Sequence, residues 1–399
     1  MSAGESHGRA LVGILDGLPA GIKITTATVQ DYLAARRAGY GRGARQKFEQ
    51  DKAQMVGGVI RGVTTGAPIA LIIENSEWTK WETVMSPDPV SAQALTIDAG
   101  KGDEREIARN KPLTRPRPGH ADFAGMLAYD LNDARPVLER ASARETAMRV
   151  GLGAFAQEFL KQAAGIELVS YVSSIGNVSL AAKHPIPTVK EAAMLADNPV
   201  RCPDPQVSKE MIAQIDAAQQ NGDTIGGTVE VAAYAVPVGL GSHVQADRRL
   251  DARIAAALMS IPSVKTVKIG DGTQPYLLGS EAHDEIIRGQ TGEITRTSNH
   301  AGGIEGGMSN GQIVRVSCEF KPISTVPRAL STVDLANGTP CQAIHQRSDT
   351  CAVVPGAVIA QAQVALVLAD ALLEHVGGYS LEQVRENLRA YRQRVEARV

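Results

Sequence analysis

With 399 residues, 43% hydrophobic and 21% charged, the chain has the composition of an ordinary globular protein with room for a large core. A net charge of −2 and an aromatic content of 4% argue against a nucleic-acid surface built on general basicity or base stacking. Its cysteines (Cys202, Cys318, Cys341, Cys351) are widely spaced and lack C-x-x-C patterns. They read as free thiols of a reducing compartment, with no metal site, and Glu5 and His7 interrupt any leader, so a cytoplasmic protein is expected.

The chain opens on Gly4-Glu5-Ser6-His7-Gly8, where flanking glycines let the backbone pass close to a ligand. Ala10 to Leu15 reads as a strand, Leu18-Pro19-Ala20-Gly21 as a turn and Thr28 to Arg37 as a short helix. The run Arg36 to Arg45 is too rich in glycine for a helix and too basic for a plain linker. It suits a loop that closes over an anion, or equally a solvated flexible loop. Gly57 to Gly66 leads into a strand from Pro68 to Glu74, and residues 76 to 114 read as an extended surface excursion.

Arg115 to Val150 is the most distinctive stretch. It gathers Arg115, Arg117, Arg135, Arg140, Arg144 and Arg149 around His120, which follows the turn Pro118-Gly119. Ser142 followed by Glu145 predicts a capping box, and Met148, Leu152, Phe155 and Phe159 continue as one apolar helix face. Helix amides with Arg140 and Arg144 beside them suit a phosphate, and a salt-bridged, solvated helix start is the plain alternative. Val169 to Val178 then reads as a strand and Lys183 to Pro205 as a connector.

A repeat follows. Gly226 to Val231, Val236-Pro237-Val238-Gly239, a helix from Arg249 to Ser260, Gly302 to Gly311 and a strand from Ile313 to Phe320 restate the earlier order. Gly302, Gly303, Gly307 and Gly311 match Gly57, Gly58, Gly62 and Gly66 in spacing. One domain over residues 1–399 is expected, with intertwined pseudo-repeats at about 4–75 and 224–320. Hairpin-like turns favour antiparallel sheets with helices packed on them, an α+β fold. Lys321 to Arg328 and His345 to Asp349 are basic loops, the apolar run Val353 to Leu373 is broken by Gln361, Gln363 and Asp370 as in a buried helix, not a membrane span, and Leu381 to Arg398 is an amphipathic helix. His7, His120 and Asp349 are the candidate acid/base groups. From the residues alone, an enzyme handling an anionic small molecule is the reading; P-loop, Rossmann and metal-ligand patterns are missing.

Gly4-Glu5-Ser6-His7-Gly8, Arg117-Pro118-Gly119-His120-Ala121-Asp122, Ser142-Ala143-Arg144-Glu145-Thr146, Ile269-Gly270-Asp271-Gly272, Gly302 to Gly311 and Arg347-Ser348-Asp349 resemble the chorismate synthase family, in order from residue 4 to about 375. The resemblance implies elimination of phosphate from 5-enolpyruvylshikimate 3-phosphate to give chorismate, a requirement for reduced FMN without net redox change, and a homotetramer whose antiparallel sheets sandwich a helical layer with an internal pseudo-twofold repeat. It makes His7 the proton donor near the departing phosphate, His120 the group that protonates the reduced flavin, and Asp349 an aid to proton removal at flavin N5. It places FMN on Arg140, Ala141, Ser142, Pro262, Ser263, Gly306, Lys321, Pro322, Ile323, Ser324, Thr325 and Arg347. Arg36 and Arg42 match positions for a reduced pyridine nucleotide such as NADPH or for substrate phosphate. Family members carry a strand of several residues before the first motif, whereas Met1-Ser2-Ala3 precedes it here, so either a misassigned start or a lost sheet edge is expected. A flavin oxidoreductase with net turnover and a non-catalytic anion- or nucleic-acid-binding protein are the competing classes.

Overall fold

The computed structural model describes residues 1–43, 51–96, 109–290, 292–343 and 349–398. The first sheet is formed by β1 (Ser2–Ala3), β2 (Ala10–Leu15), β3 (Ala53–Gly57) and β4 (Ile69–Glu74), with α1 (Thr26–Arg37) between β2 and β3. Its order is β1-β2-β4-β3, antiparallel throughout. The expected loss of the sheet edge is corrected. Ser2 and Ala3 pair with Gly13 and Val12, and the Met1 amino group donates to the Ile14 carbonyl at 2.8 Å.

Next in the chain come α2 (Asp122–Ala128), α3 (Arg135–Arg140), α4 (Thr146–Ala164), β5 (Glu167–Ile175), β6 (Val178–Ser179) and α5 (Pro205–Gln220). They are followed by β7 (Gly227–Tyr234), α6 (Leu250–Met259), β8 (Val264–Ile269), β9 (Val314–Phe320), α7 (Val353–Val376) and α8 (Leu381–Glu396). The second sheet runs β8-β9-β7-β5-β6, again antiparallel. Helix α4 packs on β2 and β4 of the first sheet and on α7, while α7 packs on β5 and β7 of the second. The helices therefore lie between the sheets, because each sheet buries one apolar face (Leu11, Leu71 and Ile73; Val229, Val231 and Val316) that only an apolar helix surface can cover. Gly153 makes the helix–helix contact possible, since a Cβ there would lie 2.5 Å from Ala362 Cβ. Helix α7 is the one described helix long and apolar enough to cross a membrane, and it sits in the core.

Both sheets carry the same local turn lock. Thr64 Oγ1 accepts from Ile22 N at 3.0 Å and donates to Pro19 O at 2.7 Å. Ser309 Oγ accepts from Leu240 N at 2.8 Å and donates to Pro237 O at 2.6 Å. Strand connectivity agrees: β2, α1, β3, β4 and β7, α6, β8, β9 each place the last strand between the other two.

Three expectations need correction. Residues 76 to 114 include short helices at Trp78–Trp81 and Ala92–Thr96, and Trp81 packs inward against His7. The connector 183–205 contains a helix, Ala192–Asp197. Ser142 and Glu145 make no capping box. Ser142 Oγ accepts from Arg144 N and caps a single 3-10 turn (Ala143–Glu145), Glu145 pairs with Arg149 at 2.9 Å, and α4 starts after them. Helix α5 also follows a legible signal, Asp204 capping the amides of Gln206 and Val207 with Pro205 in its first turn.

Candidate active site

The motif at residues 4–8 folds over the C-terminal end of α3. Gly4 has φ +103°, and a Cβ there would lie 2.3 Å from the Ala10 carbonyl oxygen, so this turn requires glycine. Ser6 N donates to the Glu139 carbonyl at 3.0 Å. The Glu139 carboxylate, fully buried, accepts from His7 N at 2.8 Å and lies 2.9 and 3.0 Å from His7 Nδ1. The other face of the assembly is Trp81, whose ring stacks on the His7 imidazole with centroids 3.9 Å apart and planes at 23°. Arg140 donates to the carbonyls of Gly4 and Ser2, at 3.4 and 3.2 Å, and so ties the same segment to α3.

His120 sits in a second, similar arrangement. Gly119, at φ +78°, turns the chain, and His120 Nδ1 lies 2.5 Å from Asp122 Oδ1. Asp122 is fully buried and is also held by Arg117, through Nε at 2.8 Å, Nη2 at 3.1 Å and the backbone amide at 3.1 Å. Burial pushes the Asp122 carboxyl up, but hydrogen bonds from His120 and Arg117 outweigh it and hold the group well below the usual carboxylate range. At His7 an ionised carboxylate facing Nδ1 accepts from it and leaves Nε2 for another partner, whereas His120 Nδ1 lies between the Asp122 carboxylate and Arg117 Nη2, the latter at 3.0 Å.

The loop 321–325 docks on this turn. Lys321 Nζ and Ser324 Oγ both donate to the Gly119 carbonyl, the latter at 2.8 Å, and Thr325 Oγ1 accepts from Arg117 Nη1 at 2.9 Å. Burial, then the charge of Lys265, lowers the pKa of Lys321. Ile323 O accepts from Thr224, with Pro322 beside it. Ser263 adjoins the loop, its carbonyl accepting from Lys321 N at 2.9 Å, and it holds φ +75° next to Pro262. A serine in the left-handed region is strained, and such strain gathers at ligand sites. Beside His120 a cavity of about 420 Å³ is walled by Pro118, Phe123, Ala124, Val333 and Leu335.

A third group surrounds Asp349. Its Oδ2 accepts from Arg42 Nη1 at 2.5 Å and its Oδ1 from Gly43 N at 2.6 Å. Arg42 Nε is buried with no hydrogen-bond partner among the described residues. Arg36 is buried, donating to Thr146 Oγ1 and the Ala143 carbonyl at 3.0 Å and to Asp51 at 3.3 Å, and Arg144 also pairs with Asp51. Arg140, Ala141 and Ser142 follow Glu139 at the end of α3, and Ser142 is occupied as a cap. Gly306 stands apart, in the ribbon Ile304–Glu305/Met308–Ser309, beside a second cavity lined by Gln274, His283 and Asp284. Arg347, with Ala44 and Arg45 of the basic loop, lies outside the described residues.

The structure thus joins His120 with residues 263 and 321–325, and His7 with Arg140. The residues that sequence reasoning missed are Glu139, Asp122 and Trp81. Asp122 stands two residues after His120 and could have been found, whereas Glu139 lies 132 positions from His7.

A model of the family described as chorismate synthase matches residues 1–373. The chain belongs to the chorismate synthase family. It is 57% identical to the chorismate synthase of Beutenbergia cavernae, over 98% of this chain and 97% of that protein. It is 56% identical to that of Acidothermus cellulolyticus, with the same coverage. A crystal structure of a chorismate synthase superposes with a TM-score of 0.76 at 34% identity, covering 100% of this chain and 98% of that one. The activity is accordingly that of a chorismate synthase, a carbon–oxygen lyase acting on a small molecule.

Proposed function

We propose that the substrate is 5-enolpyruvylshikimate 3-phosphate, that reduced FMN is the cofactor, and that phosphate leaves to give chorismate with no net redox change. The observation that carries this reading is the pair of histidines, each fixed at Nδ1 by a buried carboxylate and each set among basic side chains. A flavin suits the surroundings of His120: an apolar wall for a planar ring, with Lys321 and Ser324 as polar donors on the adjoining loop and a strained Ser263 next to that loop. Arg140, Ala141, Ser142, Pro262, Gly306, Pro322, Ile323 and Arg347 complete the proposed cofactor contacts.

Held there, reduced flavin would supply transient electron density to the substrate with no net change in its own oxidation state. His7, with Nδ1 on Glu139, donates from Nε2 to the departing phosphate oxygen. His120, which borders the cavity, is the proposed group that protonates the reduced flavin. Asp349 takes up a proton at its carboxylate, steadied by Arg42 and the Gly43 amide. Arg42, with its unsatisfied Nε, and Arg36, which is buried against Thr146 and Asp51, are the proposed ligands for substrate phosphate or for NADPH as flavin reductant.

We further infer one domain over residues 1–399 with a pseudo-twofold repeat of about 4–75 and 224–320; the matching turn locks at Thr64 and Ser309 support it. A homotetramer is supported by apolar side chains left open on the first sheet, with Val12 39%, Ile14 45% and Val56 59% exposed. The buried or half-buried free thiols agree with a cytoplasmic enzyme.

Anaerobic turnover with limiting reduced FMN is the test. Many turnovers per flavin, phosphate and chorismate released in equal amounts, and no product without reduced flavin are expected. One flavin oxidised per product would decide for a flavin oxidoreductase instead.

A further inference from the structure

Glu139 takes no part in the chemistry assigned above, yet its carboxylate is fully buried and holds one residue at two points. Its Oε2 accepts from the His7 backbone amide at 2.8 Å and stands 2.9 Å from the His7 ring nitrogen. Its own backbone carbonyl takes the Ser6 amide at 3.0 Å. A clasp meant only to dock the N-terminal segment would need the backbone contacts alone. The ring contact adds something different: with Nδ1 and the backbone amide of the same residue on one carboxylate, the imidazole cannot rotate about its side-chain bonds without breaking a buried, charge-assisted hydrogen bond. Trp81 restricts the remaining freedom by stacking on the ring at 3.9 Å. Trp81 is itself held, with Arg109 4.9 Å and Arg135 5.9 Å from its ring centroid. Arg135 is buried on the same helix as Glu139 and donates to the carbonyls of Arg109 and Lys111.

We propose that Glu139 is the positioning residue for His7, keeping the proton on Nδ1 and aiming Nε2 at the reacting phosphate, with Trp81 as the plane against which the ring is held. An ionised carboxylate only accepts, so the nitrogen facing it must carry the proton. A second proton, carried on the other nitrogen and released from it, then has an adjacent counter-charge in the carboxylate. The proposal rests on the reading of His7 as the proton donor.

Glu139→Gln preserves shape and one acceptor while removing the charge, so it folds even if Glu139→Ala does not. It should lower kcat roughly tenfold or more, short of the about 10²–10⁴-fold that the general acid itself contributes, with KM for 5-enolpyruvylshikimate 3-phosphate and FMN affinity within about twofold of wild type. A purely structural clasp would not separate kcat from KM in this way. Ring placement is read independently in a Trp78→Phe background, where Trp81 is the only tryptophan and the imidazole stacked on it quenches its emission. Glu139→Gln should shift that emission toward the value seen with His7→Ala. If kcat and Trp81 emission both stay at their Trp78→Phe values in Glu139→Gln, Glu139 does not position the ring and the proposal is overturned. If His7→Ala keeps full turnover while Glu139→Gln still moves the emission, the proton-donor reading fails and the positioning contact stands.

Discussion

His7 and His120 invite comparison, because each lies beside a glycine in a motif turn and each meets a buried carboxylate through Nδ1. They differ in what else the carboxylate serves. Asp122 is divided between His120 and a permanent cation, Arg117, which engages both of its oxygens. Glu139 serves His7 twice and, among the described residues, makes no ion pair with an arginine. Two pairs of like chemistry thus sit in different electrostatic surroundings, with Arg135, one turn earlier on α3, the cation whose charge Glu139 meets.

The largest effects should come from the histidines themselves. His7→Ala and His120→Ala are each expected to reduce turnover about 10²–10⁴-fold at saturating substrate and flavin, with much smaller changes in binding. Wild-type turnover in either variant would make that histidine structural and end the comparison.

Asp122→Asn separates the pairs by stability. It leaves Arg117 buried without its counter-ion, which should cost roughly 3–5 kcal/mol in denaturant unfolding, well above the cost of Glu139→Gln. The pH dependence has a fixed sign. The folded Asp122 carboxyl lies below its ordinary range, because hydrogen bonds to His120 and Arg117 outweigh burial. Its stabilisation is therefore present above the unfolded value of about 3.9 and is lost as pH falls below that toward the folded value. Unfolding measured across this acid window should be less steep in pH for the variant than for wild type, and equal slopes would refute the assignment.

Lys321→Ala should weaken FMN binding by roughly 1.5–3 kcal/mol by titration calorimetry, the worth of a charge-assisted hydrogen bond at the turn that carries His120. Unchanged affinity would remove residues 321–325 from the cofactor site. Ser142→Ala is the smallest change. Loss of the cap on the 3-10 turn that precedes α4 should lower stability by about 1 kcal/mol and leave the His120 pair untouched, visible as a shifted denaturant midpoint with an unaltered slope.

Much of the architecture was legible locally. The strand Ala10–Leu15 has the bounds that alternation gives it, and α7 runs from the expected Val353 to Val376 because its apolar residues are continuous enough to be buried on nearly every side. The capping box failed for a definable reason: Glu145 had a better partner in Arg149, one turn ahead, so the helix start tightened into a 3-10 turn. Trp81 was misread because a short polar segment with tryptophans looks like surface until a specific partner covers it.

The sequence by itself determined the family motifs, the antiparallel α+β character, the apolar helix that fills the middle and the identity of both histidines. These follow from short-range periodicity, turn chemistry and residue type, which act within a few positions of each residue. The partners of those histidines divide along the same line. Asp122 and Arg117 reach His120 from within five residues of each other, so one turn assembles the whole group. Glu139 and Trp81 reach His7 only after the N-terminal segment has crossed the end of α3. No local preference encodes that crossing. It is set by which apolar faces the two sheets bury against α4 and α7, and the charge carried by a buried Glu139 is tolerable only because that packing delivers a donor to it.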